Sequence, residues 1–307
     1  NLLNQSAFLL GVPGSGKSFS AKELIAFLML NTDDDILICD PEGEFAPLVE
    51  AMGSDIGTVI SVAAGGKDRL NAMYMVEGYG ENNPIVEKSQ FIMSLVEQID
   101  KHGVGPQHKS IIDRCVALVL QDQKKTGKVP TLCTLREKLL EQPEQEARDL
   151  ALTMELYTSG SLNIFAHETN VDTRNRIQSY DIHDLGEELK QPGFVTITDA
   201  MINRVNYNWA HGKKTHIFVD EFHIAYENEY SGNFFTSAWR QFRKRNAAPC
   251  AITQNVEYML DSVQASTMVS NSEFVVMLNQ AESDQERLSK LLNISPEQMS
   301  YVNGSEA

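Results

Sequence analysis

The chain has 307 residues, of which 42% are hydrophobic and 22% are charged. That length predicts about two domains with a sizeable core, and the composition is ordinary for a globular protein, which excludes a collagen-like or low-complexity chain. The 26 Lys and Arg residues against 42 Asp and Glu residues give a net charge of −16. We do not expect such an acidic chain to coat nucleic acid non-specifically, because phosphate contacts need clustered cationic side chains.

The four cysteines, Cys39, Cys115, Cys133 and Cys250, form no CxxC pair. The sequence therefore indicates neither a zinc ribbon nor a disulfide framework, and a reducing cytoplasm is its natural setting. The longest apolar run, 24–30, is far shorter than the ~20 residues that a membrane span needs. The N-terminus does not resemble a signal peptide. Because the sequence starts without Met and soon enters an apolar stretch, we expect it to be a domain of a longer protein.

The first 62 residues alternate between predicted strands and helices. Apolar strands are predicted at 7–10, 36–39 and 58–62, and helices at 18–30 and 44–52. This alternation indicates a parallel sheet with helices on both faces, which is an α/β fold.

A different pattern runs from about residue 84 to residue 160. Helical periodicity there, without a strand-like run, predicts helices at 86–99, 109–121, 132–140 and 144–157. The α/β pattern then returns, with strands predicted at 194–198, 216–219, 250–253 and 274–278 and helices at 233–245, 256–262 and 284–292. We therefore predict a core built from 1–83 and 161–307, interrupted by an all-α insertion domain over 84–160.

The strongest motif follows the first strand. The run Gly11, Val12, Pro13, Gly14, Ser15, Gly16, Lys17, Ser18 fits the phosphate-loop (Walker A) pattern GxxxxGK[ST] at every position. Glycines let backbone N–H groups turn toward a phosphate, and the following helix adds the positive end of its dipole. Lys17 is expected to reach the β- and γ-phosphates, and Ser18 to supply an oxygen to Mg²⁺.

The predicted strand at 216–219 ends in two acids, Asp220 and Glu221. An unpaired buried carboxylate is costly, and the C-terminal end of a strand is where α/β sheets bind ligands. The pattern favours a Walker B motif, in which Asp220 holds the Mg²⁺ shell and Glu221 polarises the attacking water. Two solvent-exposed turn acids are the alternative.

Two weaker features leave alternatives open. Asp40, Glu42 and Glu44 follow the second strand, where they could orient water or contact Mg²⁺, or could form a turn whose acids favour the next helix. Gln254 ends the strand at 250–253. It could sense the γ-phosphate or position water, or be an ordinary polar residue at a strand end.

The densest basic stretch contains Arg240, Arg243, Lys244 and Arg245. It could provide an arginine finger to the phosphates of a neighbouring subunit, contact nucleic acid, or form a solvated helix face. No aromatic ladder accompanies it, which argues against a stacking platform for single strands.

Taken in order, these segments resemble the C-terminal ATPase domain of the large type IV secretion and conjugation ATPases, of the VirB-four and TraC type. The resemblance covers nearly the whole chain. It rests on the phosphate loop, the run Asp40-Pro41-Glu42-Gly43-Glu44, the Asp220-Glu221 strand, the stretch from Arg243 to Gln254, and the segments 162–165 and 169–172.

The resemblance implies a RecA-like P-loop core with an all-α insertion, in which the Gln254 strand lies between the Walker A and Walker B strands. Position by position, it assigns Lys17, Ser18, Asp220 and Glu221 to the Walker motifs, Arg243 to the finger and Gln254 to the strand-end glutamine. It also implies a motor that is usually hexameric and docks on the cytoplasmic side of a secretion channel.

Motifs and resemblance together predict an ATPase that uses ATP and Mg²⁺ to energise substrate transfer or pilus assembly through a type IV secretion system. Its expected partners are other ATPases and inner-membrane channel proteins of that system, at the inner face of the cell membrane. A DNA-translocating motor of the FtsK/HerA kind is the alternative, which the acidic balance disfavours because a DNA channel needs a basic stripe. A non-hydrolysing scaffold would lack the acid after Asp220.

Overall fold

The computed structural model describes residues 5–80, 83–100, 103–227 and 229–302. Seven strands form one parallel sheet in the order β3-β4-β2-β5-β6-β1-β7. They are β1 (Ala7–Leu10), β2 (Asp35–Asp40), β3 (Gly57–Ser61), β4 (Ile177–Asp181), β5 (Thr215–Val219), β6 (Ala247–Thr253) and β7 (Phe274–Met277). The predicted α/β fold is confirmed, and β6 lies between β5 and β1, as the resemblance implies.

Helices connect these strands. They are α1 (Lys17–Asn31), α2 (Ala46–Ala51), α3 (Pro84–Ile99), α4 (Pro106–Thr126), α5 (Leu132–Leu140), α6 (Gln145–Thr153), α7 (Glu155–Thr158), α8 (Glu187–Ala210), α9 (Glu229–Lys244), α10 (Val256–Asp261), α11 (Val263–Ser270), α12 (Glu282–Leu292) and α13 (Pro296–Met299), with 3-10 helices at Phe222–Tyr226 and Ser300–Val302. Within the described ranges, none of these helices is both long enough and apolar enough to cross a membrane.

The chain divides into two compact units. Unit 1 takes in the residues up to 58, 175–179 and those from 213 onward, and unit 2 takes in 59–174 and 180–212. Helices α3 to α7 all belong to unit 2, and the described part of 84–160 contains helices and no strand. The division into a core and an insertion at residues 83 and 160 stays a prediction.

An aromatic cluster anchors the elements that flank the end of β5. Phe222, in the 3-10 helix, lies 5.5 Å from Phe8 of β1 and 5.1 Å from Phe235 of α9, measured between ring centroids. Trp239 of α9 lies 5.5 Å from Phe8 and from Phe222. All four side chains are buried. Because such rings bury large apolar areas, they fix the backbone immediately after Glu221.

The strand predicted at 194–198 is wrong, because these residues lie within α8. Every residue from 192 to 199 is buried, so this part of the helix has no exposed polar face and shows no amphipathic period. The hydroxyls of Thr196 and Thr198 donate to the carbonyls of Pro192 and Phe194, each at 2.8 Å. These bonds satisfy the polar atoms of a β-branched run inside a helix.

Strand β4 was not predicted, because its sequence Ile-Gln-Ser-Tyr-Asp carries three polar residues although all five are buried. Within unit 1, Arg176 precedes this strand. Its guanidinium donates to the carbonyls of Met29 at 3.2 Å, of Asp34 at 3.0 Å and of Thr32. A cation at a helix C-terminus satisfies carbonyls that have no intrahelical partner, so Arg176 closes the end of α1.

Unit 2 contains a fully buried lysine. The Nζ of Lys88 donates to Asp199 Oδ2 at 2.6 Å and to the carbonyls of Ala72 and Tyr74, each at 3.1 Å. The Tyr79 hydroxyl donates to the other oxygen of Asp199. Burial lowers the pKa of Lys88 and raises the pKa of Asp199, and each partner's charge opposes the shift. All three N–H groups of the ammonium are used, so this network joins α3, α8 and the segment 72–79.

We expect Lys88→Met to lower the free energy of unfolding by about 3–5 kcal/mol, because Asp199 would become a buried charge without its counter-ion. The double variant Lys88→Met with Asp199→Asn removes both charges and keeps an acceptor for Tyr79. It should recover much of the loss. Urea unfolding of both variants tests this, and a single variant as stable as the parent would contradict it.

Candidate functional site

The phosphate loop joins β1 to α1 in a conformation that requires its glycines. Gly14 and Gly16 have φ of 73° and 93°, which is the left-handed region that favours glycine. A Cβ on Gly11 would lie 2.5 Å from Ser15 Oγ and 3.0 Å from Leu278 Cβ, so a side chain there would force both neighbours to shift. Backbone conformation thus favours glycine at 14 and 16, and close neighbours favour it at 11.

Two backbone hydrogen bonds fix the start of the phosphate loop, whereas the end of the loop presents hydrogen-bond donors. The N–H of Val12 donates to the carbonyl of Asn279 at 2.8 Å, and the N–H of Gly11 to that of Thr253 at 3.4 Å. Ser15 Oγ is buried and has no hydrogen-bond partner in the described part of the chain. The first N–H groups of α1, from Lys17 on, have no intrahelical acceptor. These donors at a helix N-terminus suit an anion such as a phosphate.

Lys17 lies within this cradle. Its side chain is only 8% exposed, and its Nζ donates to the carbonyl of Val12 at 3.1 Å. Burial lowers the pKa of Lys17, and the charges of Glu221, Asp220 and Glu44 oppose that shift. The lysine therefore lies within the electrostatic reach of the acids that follow β5.

The register of the sheet brings the two Walker motifs to one edge. Val219 pairs with Ala251 across β5 and β6, and Leu10 pairs with Thr253 across β6 and β1. Asp220 and the start of the phosphate loop thus leave the sheet at the same carboxyl edge. With one strand between them, their strands are about 10 Å apart.

Asp220 is buried at this edge, and burial raises its pKa to about 7, with the negative charge of Glu221 as the next cause and Asp40 and Glu44 adding to it. Its N–H donates to the carbonyl of Cys39 at 3.0 Å. An ionised Asp220 is therefore disfavoured until a cation is close to it.

Glu221 adopts an unusual backbone conformation, with φ of 45°, which strains a residue that carries a side chain. Its Oε1 accepts a hydrogen bond from Gln254 Nε2 at 2.7 Å. Its Oε2 is buried and accepts no hydrogen bond from a described residue, and it lies 3.1 Å from His223 Nδ1. The structure thus brings two predicted site residues, Glu221 and Gln254, into direct contact.

Asp40 has a structural task. Its two oxygens accept hydrogen bonds from the backbone N–H groups of Glu44 and Phe45, each at 2.9 Å, and Oδ2 also accepts one from Ser179 at 3.4 Å. Glu42 and Glu44 are exposed. At Asp40 the geometry favours the turn alternative, although its charge still contributes to the raised pKa of Asp220.

The basic residues of α9 lie away from this edge. Arg243 and Arg240 line a groove of about 280 Å³ together with Ser6, which precedes β1. The phosphate loop follows the opposite end of β1, and four residues of strand span about 13 Å. The structure therefore does not bring Arg243 to the phosphate loop of its own chain. Arg245 is only 5% exposed, whereas Arg240 and Arg243 are exposed.

Sequence reasoning missed His223. It occurs two residues after Glu221, and this short spacing was the one sequence feature that could have indicated a contact with the carboxylate. Its proximity to the carboxylate depends on the 3-10 turn at Phe222–Tyr226, which the sequence pattern did not predict.

Comparisons with known proteins show the family and the fold of the chain. A sequence model of the family described as "Helicase HerA, central domain" matches residues 1–300. Among solved structures, VirB4 of Thermoanaerobacter pseudethanolicus is similar, with a TM-score of 0.82 and 20% sequence identity over 99% of this chain and 84% of that chain. At that identity, the likeness establishes a shared fold. The search of curated proteins gives no significant match.

We expect Asp220→Asn to raise the melting temperature of the metal-free protein, and to raise it more at pH 8 than at pH 5. The folded pKa of Asp220, about 7, lies above its ordinary value of 3.8. The folded state therefore binds the proton of Asp220 more tightly than the unfolded state does. The free-energy cost of ionising Asp220 in the folded protein grows as the pH rises from 3.8 to about 7, and it is complete above about pH 7.

Thermal unfolding in the presence of a chelator measures this difference. The exposed acid Glu42 offers a control, and Glu42→Gln should show no such pH-dependent gain. An equal shift of the melting temperature at both pH values for Asp220→Asn would contradict the raised pKa.

Proposed function

The chain belongs to the family of the HerA helicase central domain, and on that premise we propose that it is an ATPase motor domain that energises transfer through a type IV secretion system. The observation that carries the ATPase proposal is the meeting, at one sheet edge, of a glycine-constrained phosphate loop and two buried acids. The fold of VirB4 supports the secretion system as its setting.

In this proposal the phosphates of ATP lie on the N-terminus of α1. The N–H groups of the first turn donate to phosphate oxygens, and the ammonium of Lys17 moves from the carbonyl of Val12 to the β- and γ-phosphates. Gly11, Pro13, Gly14, Ser15 and Gly16 shape the loop around them. The hydroxyl of Ser15, buried without a partner, is available as a further donor to a phosphate.

The donors for Mg²⁺ are the hydroxyl of Ser18 and the carboxylate of Asp220. Both are oxygen ligands, which Mg²⁺ prefers, so the residues present fit this ion. When bound, the ion offsets negative charge on the β- and γ-phosphates. Asp220 must be ionised to act as a ligand, and its raised pKa couples metal binding to the release of a proton.

Glu221 is the proposed general base. It accepts a proton from the water that attacks the γ-phosphorus, while the bond from that phosphorus to the oxygen of the ADP leaving group breaks. Products are ADP and phosphate. Gln254 donates a hydrogen bond to one oxygen of Glu221, and the proposal is that loss of this bond releases the base to water.

Arg243 is proposed to act on a neighbouring subunit. Because it lies at the far edge of the sheet from its own phosphate loop, a finger role requires the active site of another copy. The proposal therefore includes a homo-oligomer, a hexamer as the resemblance implies. Its further partners would be other ATPases and channel proteins of the secretion system, at the cytoplasmic face of the inner membrane.

DNA translocation is the second candidate, because the matching family is described by a helicase. The net charge of −16 disfavours it, since DNA affinity comes largely from cationic contacts with phosphates. ATPase rates measured with and without duplex DNA discriminate the two. A rate that rises with DNA and loses that rise at high salt would favour the helicase-like motor.

We expect Glu221→Gln to lower ATP hydrolysis about 10²–10⁴-fold while ATP still binds, because the amide keeps the shape and loses the base. Turnover is measured by phosphate release and binding by a fluorescent ATP analogue. Lys17→Ala is the contrasting variant, and it should lose both turnover and affinity. Loss of binding in Glu221→Gln would assign this residue a structural role instead.

We expect Arg243→Ala to lower turnover about 10³–10⁵-fold, as for other arginine fingers, and mixing it with inactive Glu221→Gln subunits to restore part of the activity. A mixed interface can pair an intact Glu221 with an intact Arg243. Lys244→Ala, also exposed in the last turn of α9, serves as the control and should stay active alone. Mixtures as inactive as the parents, in rings shown to contain both subunits, would refute the trans role.

A further inference from the structure

The side chain of His223 lies close to the carboxylate oxygen of the proposed base that Gln254 does not contact. Its Nδ1 lies 3.1 Å from Glu221 Oε2, and its side chain is 19% exposed. Gln254 holds Oε1, while the buried Oε2 accepts no hydrogen bond from any described residue. The two oxygens of one carboxylate therefore lie close to two different side chains, Gln254 at Oε1 and His223 at Oε2.

The backbone around His223 is fixed by its neighbours. Phe222 is fully buried and packs against Phe8, Phe235 and Trp239. The N–H of Ile224 donates to the carbonyl of Glu221 at 2.9 Å, which closes the turn. Because the aromatic cluster holds Phe222, the backbone keeps the Cα of His223 beside the carboxylate.

Strand β6 supports the same ring. Thr253 Oγ1 lies 3.4 Å from His223 Nδ1, and this hydroxyl also accepts the N–H of Asn255 at 3.1 Å. Thr253 and Gln254 are consecutive, so one strand end contacts both the histidine and the other oxygen of Glu221. The elements after β5 and at the end of β6 thus bracket the carboxylate together.

We infer that His223 is a positioning residue for Glu221, holding Oε2 with its Nδ1–H so that Oε1 faces the attacking water once Gln254 has released it. This inference rests on the proposed function, because it assumes that Glu221 is the base. The role needs a proton on Nδ1, for which Thr253 Oγ1 is a second, more distant acceptor at 3.4 Å. It restricts the rotation of the Glu221 carboxylate when Gln254 leaves the other oxygen.

Three variants test this role. His223→Leu removes the donor, His223→Asn keeps an N–H donor near the position of Nδ1, and His223→Gln places one near the position of Nε2. We expect His223→Leu to lower kcat about 10–100-fold, the effect of a misplaced catalytic group, with little change in KM for ATP. His223→Asn should restore most of kcat, and His223→Gln should not.

The double variant His223→Leu with Glu221→Gln separates positioning from stability. If His223 acts through Glu221, the double variant hydrolyses ATP no more slowly than Glu221→Gln alone. A further multiplicative loss would overturn the inference, as would a normal kcat in His223→Leu. If His223→Leu fails to fold, the Asn and Gln variants decide, and equal activity of the two would overturn it.

The activity of Glu221→Gln distinguishes a failure of the positioning role of His223 from a failure of the proposed base. Low activity of Glu221→Gln with normal activity of His223→Leu rejects the positioning role and leaves the proposed ATPase intact. Normal activity of Glu221→Gln rejects the assignment of the base, and the positioning role falls with it.

Discussion

Two adjacent buried carboxylates at the end of β5 determine which charges and hydrogen bonds the rest of the site must supply. Asp220 and Glu221 are both nearly inaccessible to water, and ionised groups in such a place need compensating partners. Within the described residues, Lys17 supplies a positive charge and Gln254 supplies a hydrogen bond. The raised pKa of Asp220 shows that this compensation is incomplete. A site in this state gains from a bound cation, which agrees with the proposed role of Asp220 as a Mg²⁺ ligand.

The local geometry divides the acids at this edge into different roles. The two oxygens of Asp40 accept hydrogen bonds from the N–H groups of Glu44 and Phe45. Asp40 therefore stabilises the turn after β2. Glu221, in contrast, has one oxygen that accepts no hydrogen bond from a described residue, and its other oxygen accepts one from the side-chain amide of Gln254. Reactivity thus depends less on the presence of a carboxylate than on how many of its lone pairs are already used.

The arginines near the end of α9 lie at the edge of the sheet opposite to the phosphate loop. Helix α9 ends just before β6 begins, so its last turn lies at the amino edge of the sheet, while ligands bind at the carboxyl edge. A cation in that position serves its own nucleotide poorly and is free to serve a neighbour. In the proposed motor, hydrolysis would therefore depend on assembly, because the finger would come from another copy.

The sequence by itself determined the parts whose chemistry is local. The phosphate loop, the acids after β5 and most strands could be predicted, because glycine φ values, helix N-termini and apolar runs are properties of a few consecutive residues. The tertiary structure alone decided which residues meet. Residues 194–198 form a helix that the sequence did not reveal, because a helix buried on every side has no amphipathic period. The polar residues of β4 are buried because distant partners, such as Asp40 for Ser179, satisfy them. His223 reaches Glu221 only because a 3-10 turn and an aromatic cluster place it there, and contacts of that kind leave no pattern in the sequence.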